Sequence, residues 1–561
     1  MKHFLLHPKN FLTGLLLSFS FFTSAQTPDA NNILYVNINV SGGNGSGDSW
    51  ANAIPQLADA MKYARAQFIA DATVYDATSL KIYVAKGTYK PMYSPQNSMY
   101  TQDDGMNNAF VMVKNVQIYG GFDPNNGIDD LTDNRIFDEN GSILSGDIGN
   151  SPLYEYDDAY HVVISAGAVG TALLDGFTIR DAFMDYLGSN LTITVNTYPV
   201  YRARGAIYNV LSSPIFANCI ITDNRKWVAG GMYNYYQSSP TITNCTFKSN
   251  YTYYTEGGAI YNYYQSSPTI TNCSFTNNAA IKGGAIYNEN NSSPVISNCS
   301  FTINAANEGG AIYNEASSPV IINTLFANNE ASHTGSPTNG SAIYNEGASS
   351  PSLTNVTIAN NTGLNAIYSE AGSTLVVNSI IYGTILGTYT PQYSLIEGNT
   401  DFTNGNVDAA GITLTDVFTN PSTGDYTLKI TSPAINAGSN SLFTGLNADT
   451  KDLVGNVRVY DFANSGVIDL GAYEYQAGTL STIDFGAKNE VEVYPNPFTD
   501  ILKISKMNDI KAISLYDMSG RLIKKIAPTT ELDLSSLSKE SYLLVIIMED
   551  NQTKIFKVIK K

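Results

Sequence analysis

Between Gly205 and Gly383 the apolar residues come in runs of two or three, too short for a helix and separated by bends. Ala259-Ile260-Tyr261, Thr269-Ile270-Thr271 and Cys273-Ser274-Phe275 favour strand, while Gly257-Gly258, Ser266-Ser267-Pro268 and Asn272 punctuate them. The phrase returns along the chain. A Tyr-Asn pair ends at Asn209, Asn234, Asn262, Asn288, Asn314 and Asn345, in steps of 25, 28, 26, 26 and 31 residues, with Ala366-Ile367-Tyr368-Ser369 as a degenerate seventh copy. Self-similarity at this period predicts a solenoid. A leucine-rich repeat needs several Leu per unit, and Ser212 to Thr324 contains none. Three short strands and three bends per unit predict instead an all-β parallel β-helix, its coils stacked about 4.8 Å apart. Upstream, Leu57, Ala60, Met61 and Ala64 keep helical spacing inside Ile54 to Gln67. A helix there would cover the open edge of the first coil. Less regular coils are expected around Lys81 to Ala85, Phe110 to Gly121, Ser142 to Asp147 and Val162 to Arg180.

Stacking turns each repeated position into a column. Ile242, Ile270, Phe247, Phe275, Phe301 and Phe326 belong to the interior by alternation. Asn218, Asn244, Asn272, Asn298, Asn323, Asn355 and Asn378 recur at one bend, where Asn tolerates a left-handed backbone and can pass amide hydrogen bonds from coil to coil. Pro214, Pro240, Pro268, Pro294, Pro319 and Pro351 fix φ at another bend. Cys219, Cys245, Cys273 and Cys299, the only cysteines, each follow a ladder Asn. Parallel stacking holds their Cβ atoms about 4.8 Å apart, wider than a disulfide's roughly 3.5–4.5 Å, so buried reduced thiols are expected. With no CxxC pair or convergent His, the pattern does not form a zinc site.

On the outward face the same alternation places Tyr233, Tyr261, Tyr287, Tyr313 and Tyr344. Tyr235, Tyr236, Tyr263 and Tyr264, with Tyr251, Tyr253 and Tyr254, broaden this into an aromatic surface that could stack on sugar rings or a protein partner, although Tyr also suits a strand for its own sake. The position after Tyr-Asn becomes Glu289, Glu315 and Glu346, with Glu370 after Tyr-Ser. Carboxylates about 5 Å apart are expected to splay into water, a bridging calcium ion being the alternative. The candidate ligand-binding residues are therefore Tyr233, Tyr235, Tyr236, Tyr261, Tyr263, Tyr264, Glu289, Glu315 and Glu346.

Charge narrows the partners. The formal net charge is −18, and the segment Asp484 to Lys561 holds 11 acidic and 12 basic residues, leaving 38 acidic and 19 basic for the rest. An acidic body disfavours nucleic acid and polyuronate partners. At the start, Lys2 and Lys9 precede the apolar run Phe11 to Phe22 and the small residues Thr23-Ser24-Ala25, which reads as a signal peptide cleaved after Ala25. No segment approaches the roughly 20 apolar residues of a membrane-spanning helix.

The Gly-Gly-Ala-Ile copies followed by Phe and Asn, as in Phe275 to Asn278, Phe301 to Asn304 and Phe326 to Asn329, resemble the repeats of chlamydial polymorphic outer-membrane proteins and other pectin-lyase-like β-helices. Val84-Ala85-Lys86-Gly87-Thr88-Tyr89, Tyr119-Gly120-Gly121-Phe122 and Leu174-Asp175-Gly176-Phe177-Thr178-Ile179 are similar to the first coils of that group. The resemblance implies a right-handed parallel β-helix; lyases, hydrolases and adhesins share it. Gly424-Asp425-Tyr426-Thr427-Leu428, Ser432 to Gly438, Asp452 to Arg458 and Asp469 to Glu474 resemble the choice-of-anchor Q region, implying a closing cap in which Arg458 pairs with Asp452, Asp469 or Glu474. Val493-Tyr494-Pro495-Asn496-Pro497-Phe498, Leu515 to Arg521, Leu532 to Leu537, Tyr542-Leu543-Leu544 and Lys557 to Lys561 resemble the type A sorting domain of the type IX secretion system, with Glu540 standing where a small residue is usual. That implies a β-sandwich, dealings with the type IX machinery, and a final place outside the cell or on the outer-membrane surface of a Gram-negative bacterium.

The expected organisation is a signal peptide 1–25, a cap and first coils 26–204, regular repeats 205–383, a closing cap 384–476, a linker 477–488 and a sorting domain 489–561. A β-helix lyase needs convergent bases, and from Gly205 to Gly383 there are only Arg225, Lys226, Lys248 and Lys282. Asp103-Asp104, Asp129-Asp130 and Asp157-Asp158 precede the regular coils and lack the Gly-His-Gly and Arg-x-Lys companions of galacturonases. No catalytic, metal or cofactor-binding residue is assigned. The favoured function is a surface adhesin or glycan-binding protein; the alternative is a polysaccharide hydrolase or lyase, distinguished by two acids converging with a cleft on one face.

Overall fold

The protein is described by a computed structural model covering residues 25–96, 105–149, 157–184, 191–252, 254–400, 402–476, 493–505, 510–517, 522–548 and 553–561. Asp103, Asp104, Tyr253, the linker 477–488, the turn Met518 to Arg521 and nearly all of the expected signal peptide lie outside the described residues. The chain divides into two compact units, Met1–Tyr475 and Gln476–Lys561.

Among the described residues the first unit is a right-handed β-helix whose coils add one strand each to sheets of 12, 11 and 10 strands. A fourth sheet of six strands forms in the regular region, at Arg225–Lys226, Tyr251–Thr252, Ala279–Lys282, Ala305–Glu308, Glu330–His333 and Ser336–Pro337, where the sequence pattern predicts only a bend. That corner also absorbs most length variation. The long final step inserts a hairpin turn there, with Ser332 opposite Pro337, and the hairpin Thr192–Val195/Tyr198–Tyr201 leaves the solenoid at the corresponding place one coil earlier than Arg225–Lys226.

The register follows the repeat. Tyr233, Tyr261, Tyr287, Tyr313, Tyr344 and Tyr368 pair in succession, as do Ile242, Ile270 and Ile296. Phe247, Phe275, Phe301 and Phe326 are fully buried and stack at centroid spacings of 5.0, 4.6 and 4.8 Å. The four cysteines are free and buried, each Sγ directed at a carbonyl two residues earlier, as Cys245 is at Thr243 at 3.3 Å. The bend column Asn218 to Asn378 is left-handed throughout, with φ between 46° and 54°.

Two further asparagine columns lie inside, with only the last residue of the second, Asn361, partly exposed. Asn209, Asn234, Asn262, Asn288, Asn314 and Asn345 pass Nδ2–H to Oδ1 bonds of 2.8–2.9 Å along the stack. Asn224, Asn250, Asn278, Asn304, Asn329 and Asn361 do the same at 2.9–3.0 Å, and also bond main-chain groups at the corner, as when Asn278 donates to the Phe247 carbonyl at 2.9 Å. Oδ1 of Asn209, at the head of the first column, finds no partner among the described residues; pairing of the amides after it is what makes an interior Asn tolerable.

The first helix, α1, spans Leu57–Ala70 and buries Leu57, Ala60, Met61 and Ala64 in the solenoid core. It starts three residues later than the periodicity suggests. Ile54 is held extended by a bridge to Val36, and Pro55 disfavours helical backbone in the residue before it. At the far end the segment from Leu414 to Tyr475 packs on the last coils through Val417, Phe418, Tyr426 and Leu470. The outer Asn column fastens it: Asn323 donates to the Lys451 carbonyl at 3.0 Å, Asn355 to that of Asp469 at 2.9 Å and Asn378 to that of Ser439 at 3.1 Å. Arg458 is fully buried, and Nη2 donates to the carbonyls of Asp469 and Gly471 at 2.8 and 2.7 Å, in the field of Glu474, Asp452 and Asp469. Its direct bonds are to the main chain rather than to a carboxylate partner, because the three acids are occupied by backbone N–H groups of Tyr460, Asn456 and Asn436.

The second unit is a small β-sandwich. Val493–Tyr494, Ile501–Ile504 and Glu531–Asp533 form one antiparallel sheet, and Ile510–Asp517, Leu522–Ile526, Ser541–Met548 and Thr553–Ile559 the other. Phe498, Leu502, Leu515, Leu532, Leu544 and Val558 fill the space between them.

Candidate functional site

Strand Ile260–Tyr263 shows how the tyrosine face is made. Ile260 and Asn262 are interior, so Tyr261 and Tyr263 point away from the solenoid axis. Outward is not exposed, however. Tyr233, Tyr261, Tyr287 and Tyr313 are at most 7 % accessible, because the hairpin residues Ile193, Val195 and Val200, with Val228 and Ala229, close over the N-terminal end of the column, and the tyrosines cover one another. Neighbouring rings sit 5.2, 4.8, 5.3 and 4.6 Å apart from Tyr233 to Tyr344. The column is a second hydrophobic core, which corrects the expectation of an open stripe.

The exposed aromatics stand at its border. Tyr235 and Tyr263 stack at 5.8 Å and are half-buried. Tyr236 and Tyr264, 41 and 40 % accessible, lie 4.7 Å apart with planes inclined by 2°. Both have positive φ, 53° and 56°, as do Gln237 and Gln265 after them. In the next coil that double left-handed turn is made by Asn290 and Asn291, residues suited to it.

Where Tyr263 gives way to Glu289 in the ladder, a carboxylate column begins. Glu289, Glu315 and Glu346 do not splay into water. Each is half-buried and accepts the hydroxyl proton of a tyrosine from a preceding coil, Tyr261, Tyr287 and Tyr313 respectively. Lys282 reaches Glu346 at 3.3 Å and lies 4.5 Å from the Tyr313 ring centroid. Glu370 alone is exposed. The hydroxyl bond holds the Glu346 carboxyl below the ordinary range. Among the described residues no group of three or more His, Cys, Asp or Glu is disposed to hold a metal ion.

Five of the candidates, Tyr233, Tyr235, Tyr261, Tyr263 and Glu289, line one cavity of about 280 Å³ together with Tyr201, Arg204, Val228 and Glu256. Tyr236 and Tyr264 stand on the adjoining corner, while Glu315 and Glu346 continue the column away from it. Arg204 donates from Nη1 to the Tyr233 hydroxyl at 2.6 Å, and its guanidinium carbon is 4.5 Å from the Tyr201 ring centroid and 5.1 Å from that of Tyr233. Its Nε finds no partner among the described residues. Burial pushes the Glu256 carboxyl up, reinforced by the charges of Glu289 and Glu315. Burial pushes Glu289 up as well, opposed by the Tyr261 hydroxyl.

Tyr201, Arg204 and Glu256 were not among the sequence candidates. Tyr201 and Arg204 belong to an insertion outside the repeat, so no periodicity points to them. Glu256 did leave a signal: a charged residue precedes three of the four Gly-Gly pairs in the repeats, at Glu256, Lys282 and Glu308, while Ala229 precedes Gly230-Gly231. Of the Asp pairs, Asp129 and Asp130 cap a turn closed by Asp133 and line neither cavity. A second groove, about 790 Å³, runs between the outer corner at Asn244, Asn272 and Asn298 and the cap loop Lys451 to Gly455.

Two family models match the chain: residues 105–329 match the right handed beta helix region and residues 492–561 the secretion system C-terminal sorting domain. No curated protein matches the sequence. No helix among the described residues is long and apolar enough to cross a membrane.

Proposed function

We propose that this chain, a secreted or cell-surface right-handed β-helix carrying a type IX sorting domain, binds glycans through the cavity at Tyr235, Tyr263 and Arg204. The observation that carries the reading is the convergence of aromatic walls with charged hydrogen-bonding groups in one recess. Sugar rings present an apolar face and a rim of hydroxyls, and Tyr faces beside Glu and Arg answer both. At about 280 Å³ the recess is at the small end of ligand pockets, roughly 300–1,000 Å³, which fits one sugar ring with neighbours resting on the Tyr236/Tyr264 stack. That stack supports display as its purpose, since Asn occupies the same turn one coil later at less conformational cost. The test is a glycan array with the purified chain and a variant carrying Tyr→Ala at 235, 236, 263 and 264. The variant is expected to lose binding while still unfolding cooperatively, at a lowered melting temperature because Tyr235 and Tyr263 pack on the tyrosine core. Normal binding by the variant would overturn the assignment.

A second reading has its own observation. Glu256 and Glu289 line the same cavity, and burial favours the protonated form of each, as a general acid requires. Hydrolysis of a polysaccharide by the wild type, abolished in both Glu256→Gln and Glu289→Gln, would make the recess an active site; intact polymer after prolonged incubation would leave binding alone.

A further inference from the structure

The glycan reading does not name the sugar, and the distribution of charge in the cavity does. Two carboxylates, Glu256 and Glu289, line the recess with one cation, Arg204, while Lys282, which acts on both carboxylates from outside the lining, is drawn to Glu346 at 3.3 Å. Arg204 is already engaged: it bonds the Tyr233 hydroxyl and lies against the faces of Tyr201 and Tyr233. The remaining walls, Tyr235 and Tyr263, present ring surface without a cation of their own. Negative charge and aromatic faces in one desolvated recess are the combination that holds an ammonium group, through charge-assisted hydrogen bonds to the carboxylates and attraction to the rings.

Resting on the reading of the recess as a sugar site, we propose that its ligand is an amino sugar with a free, protonated amine, held between Glu256, Glu289 and the rings of Tyr235 and Tyr263. An N-acetyl group removes the charge, and a uronate places a third carboxylate beside the two present. The acidic balance of the chain before Asp484, 38 acidic against 19 basic residues, acts in the same direction at longer range.

The test is calorimetric titration of the purified chain with four oligosaccharides of one length: free glucosamine, N-acetylglucosamine, glucose and glucuronate oligomers. The titration is run across about pH 5.5–7, since the oxygens beside a sugar amine lower its pKa below that of an ordinary aliphatic amine and the charged form must be present. The amine oligomer is expected to bind at least tenfold more tightly than its N-acetyl and neutral counterparts. That preference is expected to vanish in Glu256→Gln and Glu289→Gln, and raised salt should narrow it in the wild type. Equal affinity for the amine and N-acetyl oligomers, or tightest binding of the glucuronate oligomer, overturns the amine assignment and leaves a sugar site. Binding of none of the four by wild-type protein overturns both. Because the wild-type series decides the matter alone, a variant that fails to fold does not blunt the test.

Discussion

Cys219, Cys245, Cys273 and Cys299 repeat at one step of the coil, and each is buried with its thiol directed at a backbone carbonyl. Burial pushes the Cys245 and Cys299 thiols up, so those two carry little nucleophilic thiolate. Protein denatured without reductant is therefore expected to label at four thiols, and at none while folded; no label after denaturation would reveal two disulfides between neighbouring coils. Tyr236 and Tyr264 show the opposite logic, because a ring in a left-handed turn costs about 1–2 kcal/mol. Replacing both by Asn, the residue used at 290, relieves that strain and gives up a stacked pair worth about 0.5–1.5 kcal/mol. The expected result in a denaturant titration is unchanged to slightly raised stability accompanied by weaker glycan binding. At this scale much was readable from the sequence, since identical side chains at a constant step can only form columns. Exposure was not, because alternation tells which side of a strand a tyrosine leaves from and nothing about what a distant hairpin lays over it.

Each strand of the solenoid is only two to seven residues long, so its stability comes from the columns running across the sheets. Ile270 is fully buried between Ile242 and Ile296. Ile270→Ala is expected to cost about 2–5 kcal/mol by calorimetry or urea titration. Asn278 accepts from the Asn250 backbone and side chain and donates to Asn304 and to the Phe247 carbonyl. Asn278→Ala leaves several of those buried groups unpaired, at about 1–3 kcal/mol for each. The bend asparagines and the phenylalanine column were legible as elements, and the fourth sheet was not: Ala279–Lys282 and Ala305–Glu308 carry little strand preference and pair because the coils on either side hold them in register. The start of α1 was missed for a local reason, Pro55.

Taken whole, the first unit closes both ends of its stack, with α1 in the core at the start and the Leu414 to Tyr475 segment at the finish. The C-terminal closure is built around a buried guanidinium. Arg458→Met would leave Glu474, Asp452 and Asp469 buried without it, and breaking such a cluster costs about 3–5 kcal/mol. Limited proteolysis is the measurement: early cleavage within 414–475 is expected in the variant, with the repeats resisting as before. Equal resistance would mean that the cap is held by its asparagine bonds alone. The corner formed by the six-stranded sheet has a different kind of consequence. The bend after the Tyr-Asn strand varies by a single residue, five from Asn209 to Pro214 and six from Asn234 to Pro240, whereas here the chain lengthens into the hairpin Thr192–Tyr201 and the turn at Ser332 to Pro337 without disturbing the three long sheets. Two walls of the cavity, Tyr201 and Arg204, come from this corner. Descendants of this chain could therefore exchange one recognition loop for another as cassettes, diversifying what the surface meets while inheriting the rod intact.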